Sequence, residues 1–489
     1  MDRREFLETL ARGAAVTAFA SFARAAEKVS RPNVLFIAVD DLRPQLGCYG
    51  HKEIISPNID ALAARGLLFE RAYVMQAVSA PSRACVLTGC RPDTTHIYGL
   101  RTPVRKAMPD VLTLPEHFRR HGYETVSLGK IYHHVQDDNG RGWSKPAWRP
   151  SGPWVGRAYR SPEAIEAMRR RDATNPPKKG IGPPFDAADV PDDGYPDGAL
   201  ANKALEELRR LKTAGKPFFL AVGFFKPHLP FNAPKKYWDL YDRSKIRLPE
   251  YRKPPKDAPP FALTNWGELR QYVGIPKTGP VSDDLARKLI HGYYACVSYT
   301  DAQIGKLLAA LDRLGLRDNT IVILWGDHGW KLCEYNSWCK HTNFELDTNA
   351  PLIISVPWQR NKGRKTKALV EFVDMYPTLC ELAGLPVPSH LEGTSFVPLL
   401  ENPDRPWKSA AFSQYPRGRI MGYTMRTDRW RYTEWIDRKT KKAVARELYD
   451  HRSDPDETTN LAVKREFAET VRQLSAKLHA GWRVALPKT

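Results

Sequence analysis

The sequence predicts an α/β protein: a sandwich on a mostly parallel central sheet, followed by a small C-terminal α+β unit. Three observations carry that reading. Nearly continuous apolar runs recur through the first four hundred residues, as strands buried on both faces of a parallel sheet require. Helical patterns separate those runs, which is the order of an α/β layer fold. From about Lys408 the pattern changes to short alternating segments typical of antiparallel strands.

The elements follow in order. Asn33–Val39 is apolar after its first residue and closes in Asp40-Asp41, a buried strand with carboxylates at its C-terminal end. Ile59–Arg65 has helical spacing. In Ser79-Ala80-Pro81-Ser82-Arg83 the proline reads as the first residue of a helix, where its missing N–H costs nothing. Ser79 then lies at the helix N-terminus, where free N–H groups favour an anion, and Arg83 adds a guanidinium fork. Leu112–His121 is the next helix, and Tyr123–Ser127 a strand that runs toward Lys130. Ala199–Leu211 is helical, Pro217–Val222 a strand before His228, and Ser282–Leu314 a long helix. Thr320–Trp325 is a strand before Asp327-His328; Leu352–Val356 is a further strand and Met375–Ala383 a helix.

Residues 136–198 and 244–281 interrupt the pattern with Pro, Gly, Lys, Arg and Trp, and read as irregular insertions. Their interleaved Trp and Arg suit sugar faces and anions. Met421–Thr427 and Trp430–Trp435 alternate as strands around Asp428-Arg429, Glu447–Asp450 adds another, and Phe467–Val484 reads as a closing helix. The chain shows no internal repeat. The expected division is a leader over 1–25, a catalytic domain over 26–407 and a C-terminal subdomain over 408–489.

Composition narrows the function. Of 489 residues, 42% are hydrophobic and 27% charged, and the net charge is +20, which favours anionic partners such as sulfated glycans. No zinc-knuckle spacing, RNA-binding signature or long basic block appears, so nucleic acid is not an expected partner. Asp2-Arg3-Arg4-Glu5-Phe6-Leu7, the apolar Ala14–Phe22 and the small-x-small Ala23-Arg24-Ala25 resemble a bacterial twin-arginine leader, too short to span a bilayer. Export to the periplasm or beyond is expected, without stable membrane insertion. Seven scattered cysteines make no C-x-x-C pair and no disulfide scaffold.

Asp, Lys and His stand just past the C-terminal ends of strands far apart in sequence, where open α/β sheets bind ligands. Asp40, Asp41, Asp327 and His328 are the metal candidates. Three aspartates suit Ca²⁺ or Mg²⁺, although an imidazole is unusual for calcium.

The motif Ser79-x-Pro81-Ser82-Arg83-x4-Thr88-Gly89 resembles the signature of the type I sulfatases, whose Cys or Ser at the first position is oxidised to formylglycine. Val39-Asp40-Asp41-Leu42-Arg43-Pro44, Gly129-Lys130-Ile131-Tyr132-His133, Phe225-Lys226-Pro227-His228, Gly326-Asp327-His328-Gly329-Trp330 and Trp338-Cys339-Lys340 are similar to the iduronate 2-sulfatase type within that family. The resemblance implies an alkaline-phosphatase-like sandwich and hydrolysis of sulfate esters on a carbohydrate. It implies a Ca²⁺ ion, rather than Mg²⁺, held by Asp40, Asp41, Asp327, His328 and the modified residue 79. Arg83, Lys130 and Lys340 would surround the sulfate, His228 would protonate the leaving alcohol, and His133 would be the base, with His134 as its alternative. A maturating enzyme that oxidises Ser79 would be an obligatory partner. Two departures from the family, Cys333-Glu334-Tyr335 and Gly99, are expected near the pocket rim and put iduronate specificity in doubt. The alternatives are a phosphate ester hydrolase of the same superfold and a glycan-binding protein that keeps Ser79 unmodified.

Overall fold

The computed structural model describes residues 31–174 and 179–488, so the leader read at residues 1–25 lies outside the described residues. The strands of the main sheet are β1 (Asn33–Val39), β2 (Leu67–Phe69), β3 (Glu124–Gly129), β4 (Phe218–Phe224), β5 (Thr320–Gly326), β6 (Leu352–Ser355) and β7 (Arg364–Thr366). They lie in the order β7-β2-β6-β5-β1-β4-β3. β1 pairs in parallel with both β4 and β5, β4 with β3, and β2 with β7; only β6 runs against its neighbours.

Alternation along β1 shows how the layers are built. Leu35, Ile37 and Val39 belong to one buried cluster, and Val34, Phe36 and Ala38 to a second on the opposite face. Helices α1 (Pro57–Ala64), α5 (Pro196–Ala214) and α6 (Asp283–Arg313) supply the first cluster with residues such as Leu62, Leu208 and Leu307. Helices α2 (Ser79–Thr88), α3 (Leu114–Arg120) and α7 (Met375–Leu382) supply the second with Val86, Phe118 and Leu379. Both faces of β1 are therefore dry, which explains its unbroken apolar run.

Three expectations change. The helix at the signature begins at Ser79, not Pro81. A proline at the third helical position is equally tolerated, because the first four N–H groups of a helix lack intrahelical partners anyway. The insertion 136–198 contains a helix, α4 (Pro162–Thr174), which buries only Ala164 and Met168 and so leaves little apolar periodicity to read. The closing helix α8 (Ala468–Ala480) stops before Gly481, whose φ of 80° breaks it, and a 3₁₀ turn over Trp482–Ala485 follows.

Strands β8 (Ala411–Arg417), β9 (Ile420–Arg426), β10 (Trp430–Asp437) and β11 (Ala443–Asp450) form an antiparallel meander in that order, and Met425, Tyr432, Leu448 and Leu474 of α8 pack together beside it. Buried charge joins this sheet to the sandwich: Arg431 pairs with Glu345 and Glu457, and Lys408 with Glu371 and Asp374. No helix among the described residues is long and apolar enough to cross a membrane. All seven cysteines are free thiols, six of them buried.

Candidate active site

The C-terminal ends of β1, β3, β4 and β5 open onto one cleft of 730 Å³, lined by Asp40, Ser79, Lys130, His133, His228 and Lys340 among others. Asp41, Arg83, Asp327 and His328 lie fully buried beneath it. Every sequence-predicted residue is therefore in one place, on two levels.

The floor is built by chain turns at strand ends. Asp41 follows β1 with a φ of 63°, a left-handed conformation that Asp adopts more readily than most residues. Its backbone N–H donates to Asp327 Oδ1 at 2.9 Å, tying the end of β1 to the end of β5. At the ends of β3 and β4 a Cβ on Gly129 would run into the Gly223 carbonyl, and one on Gly223 into the backbone of Lys130. Glycine at both positions lets the two strands close, and Lys130 N–H donates to the Gly223 carbonyl at 2.8 Å.

Ser79, in the first turn of α2, points its hydroxyl at Asp40 Oδ1 and at His328 Nε2, each at 3.2 Å. His328 Nδ1 faces its neighbour's carbonyl, Gly329 O, at 3.0 Å, so a ring that carries its single proton there offers Nε2 as an acceptor. Nε2 faces Asp41 Oδ1 at 3.4 Å and Asp327 Oδ1 at 3.6 Å. An acceptor nitrogen set among carboxylates is a donor set for a hard cation, and the ligand atoms of Asp41, Asp327 and His328 all lie within 4.8 Å of one another. The residues fit a divalent metal.

Cations ring the carboxylates. Lys130 pairs with Asp40, and Lys340 Nζ lies 3.0 Å from both oxygens of Asp41. Burial would raise the Asp40 carboxyl, but Lys130, His228 and Arg83 override it and hold it well below the usual carboxylate range. For Asp41 burial wins over Lys340 and the carboxyl is raised. Lys340 itself is buried, yet Asp41 and Glu268 keep its ammonium charged and push it well above its ordinary value. Cys339 and His341, with φ of 66° and 86°, bracket Lys340 in a strained turn that aims it inward.

Arg83 does not surround a sulfate from within the cleft. Its Nε donates to Asp327 Oδ2 at 2.9 Å, Nη2 to Asp40 Oδ1 at 3.2 Å, and Nη1 to the Lys130 and Ile131 carbonyls. Every nitrogen is committed to protein, so it holds the two aspartates in place. Of the adjacent histidines, His133 lies nearer the charges: burial and Lys130 push it down to about 3, so its ring is neutral. His134 Nε2 is turned to the Leu100 carbonyl at 2.7 Å.

Sequence reasoning missed Glu268, which sits in the Pro/Gly-rich insertion over 244–281 and has no local signal. Its carboxylate lies 3.0 Å from both Lys340 Nζ and His228 Nε2. His228 Nδ1 faces the Leu229 carbonyl at 2.6 Å, so each of its ring nitrogens faces an oxygen acceptor. The rim departures lie elsewhere than expected: Cys333 and Tyr335 are buried in hydrophobic clusters, and neither they nor Gly99 line the cleft, although Leu100 does. From the first insertion Arg149, Trp154 and Arg157 line the cleft, whereas Trp143 is buried in the core beneath α3.

Residues 32–385 match the family described as sulfatase, and residues 327–483 match the C-terminal region of N-sulphoglucosamine sulphohydrolase. Mouse (Mus musculus) iduronate 2-sulfatase is 35% identical, over 94% of this chain and 96% of that protein. A sulfatase of Formosa agariphila is 33% identical, over 93% of this chain and 88% of that protein. The fold is also that of a protein solved in complex with its substrate D-glucosamine-2-N,6-O-disulfate, with a TM-score of 0.73, 24% identity, and coverage of 92% and 97%. A phosphonate monoester hydrolase of Agrobacterium radiobacter superimposes with a TM-score of 0.72 at 24% identity, over 92% of this chain and 95% of that one. A fold shared by both cannot fix the ester, but the sequence relatives over nearly the whole chain do. This chain belongs to the sulfatase family.

Proposed function

We propose that the chain is an exported, formylglycine-dependent and calcium-binding sulfatase that removes sulfate from a sulfated carbohydrate. The observation that carries the reading is the convergence of Ser79, three buried aspartates and His328 Nε2 at the foot of a cationic cleft. Asp40, Asp41, Asp327, His328 and residue 79 would hold the cation, which when bound withdraws charge from the sulfate oxygens. Oxidised to formylglycine and hydrated, residue 79 would carry two hydroxyls on one carbon, one to attack sulfur and one to release sulfate, a pair that serine lacks.

The remaining residues divide the other tasks. Lys130 and Lys340 line the cleft beside Ser79 and are placed to stabilise charge developing on the sulfate oxygens. Arg83 serves as a positioning residue through Asp40 and Asp327. His228, bracketed by two acceptors, is set to give a proton to the leaving alcohol oxygen. The neutral His133, across the cleft, is set to accept the proton of the hydroxyl that releases sulfate. The relatives named for iduronate and glucosamine sulfates support a carbohydrate substrate. The twin-arginine leader supports export, which allows Ser79 to be oxidised by a maturating enzyme before the folded chain leaves the cytoplasm.

The test is a parallel assay of the purified, matured enzyme on an aryl sulfate, an aryl phosphate and a set of sulfated oligosaccharides. Turnover of the sulfates is expected; phosphate turnover without sulfate turnover would overturn the reading.

A further inference from the structure

The buried arginines of this protein share a habit. Arg83 holds Asp40 and Asp327, Arg91 holds Glu371, Arg105 holds Glu116 and Asp138, and Arg431 holds Glu345 and Glu457. Burying a guanidinium without a carboxylate is costly, and these pairs avoid that cost.

Two half-buried arginines of the cleft wall have no such carboxylate. Arg149 donates through Nη2 to the carbonyls of His133 at 2.9 Å and Tyr132 at 3.3 Å, and its buried Nε has no partner. Burial, reinforced by Arg83, outweighs the attraction of Asp40 and Asp137 and pulls its guanidinium below the ordinary arginine value. Arg157 donates to the neutral Tyr272 hydroxyl at 2.6 Å and stacks over that ring at 5.3 Å. Neither joins any of the ion pairs among the described residues, although the carboxylate-bound cations Lys130 and Lys340 line the same cleft. Lys226 deepens the imbalance, since its ammonium meets only the backbone carbonyls of His228 and Pro230.

The two arginines stand on one segment of the first insertion, with Trp154 between them in sequence, and all three line the cleft. The cleft, at 730 Å³, lies within the range of small-molecule sites and exceeds what a single sulfate group fills. We propose that Arg149 and Arg157 form an oxyanion subsite, separate from the position beside Ser79, that takes a second negatively charged group of the substrate. This rests on the sulfatase reading and sharpens it: the preferred substrate is a saccharide with at least two anionic groups, one cleaved and one held. A second sulfate and a uronate carboxylate share the needed chemistry, two or more oxygens presented to a guanidinium fork.

The experiment compares kcat/KM for three probes: 4-nitrophenyl sulfate, a disulfated disaccharide without a uronate, and a monosulfated disaccharide with one. Arg149→Ala and Arg157→Ala are each expected to lower the ratio of dianionic to aryl-sulfate turnover by on the order of 30-fold, chiefly through KM. Arg149→Lys and Arg157→Lys should recover part of it. Which disaccharide loses more tells whether the held group is sulfate or carboxylate. Equal loss on all three probes, or wild-type indifference to the second charge, overturns the subsite. Wild-type enzyme with residue 79 converted that turns over none of the probes would instead overturn the sulfatase reading. Should an alanine variant fold poorly, the wild type answers alone: the product of the disulfated disaccharide, which keeps one sulfate, must inhibit aryl-sulfate turnover more strongly than the same disaccharide without sulfate.

Discussion

The floor and the wall of the cleft are built on opposite principles. On the floor each charge has a designated opposite: Lys130 meets Asp40, Lys340 meets Asp41 and Glu268, and Arg83 spans Asp40 and Asp327. The wall supplied by the first insertion carries Arg149 and Arg157, whose hydrogen bonds go to carbonyls and a phenol and not to a carboxylate. The floor is preorganised around chemistry that does not vary, and donors held in place before reaction need no reorganisation during it. The wall is left electrostatically unfinished, which suits a part whose missing charge arrives with the substrate.

The largest effect should come from the centre of the floor. Ser79→Ala removes the residue on which Asp40 and His328 converge and is expected to lower aryl-sulfate kcat by about 10⁴-fold or more, measured beside an unchanged thermal midpoint. Chelation of the purified enzyme should follow, cutting turnover to below roughly 1% and restored by Ca²⁺; turnover indifferent to chelators would break the assignment of Asp41, Asp327 and His328 as a metal set. Glu268→Gln comes next. It keeps the shape but removes the charge shared by Lys340 and His228, with an expected loss of about 10- to 100-fold in kcat. A leaving group of low basicity needs little proton donation, so that loss should shrink on aryl sulfates with good leaving groups. The smallest effect belongs to the wall: Trp154→Ala should change aryl-sulfate kcat/KM by less than about 3-fold while weakening saccharides more, and a uniform loss would show that the wall supports the floor.

The same contrast explains what the sequence reveals. The floor stands at the ends of long, dry strands, so Asp40-Asp41 after β1 and Asp327-His328 after β5 are announced by the apolar runs before them. Short edge elements are invisible by that signal: β2 and β7 have three residues each, and Arg364 and Lys365 of β7 are exposed. Glu268 is also silent, because it reaches the site on a four-residue helical turn within an irregular insertion. That Arg149 bonds carbonyls rather than a carboxylate is likewise a property of three-dimensional surroundings, and no spacing in the chain encodes it. Arg83 is the instructive middle case. Its presence at the site follows from the signature, but its commitment to Asp40 and Asp327 needed the geometry.

Everything on the floor points at residue 79, so its chemical state is the most direct measurement. Intact-mass and peptide analysis of the active, purified enzyme should find the peptide containing Ser79 lighter by about two hydrogens, with activity rising in proportion to the converted fraction. Fully active enzyme whose residue 79 is unmodified serine would contradict the account.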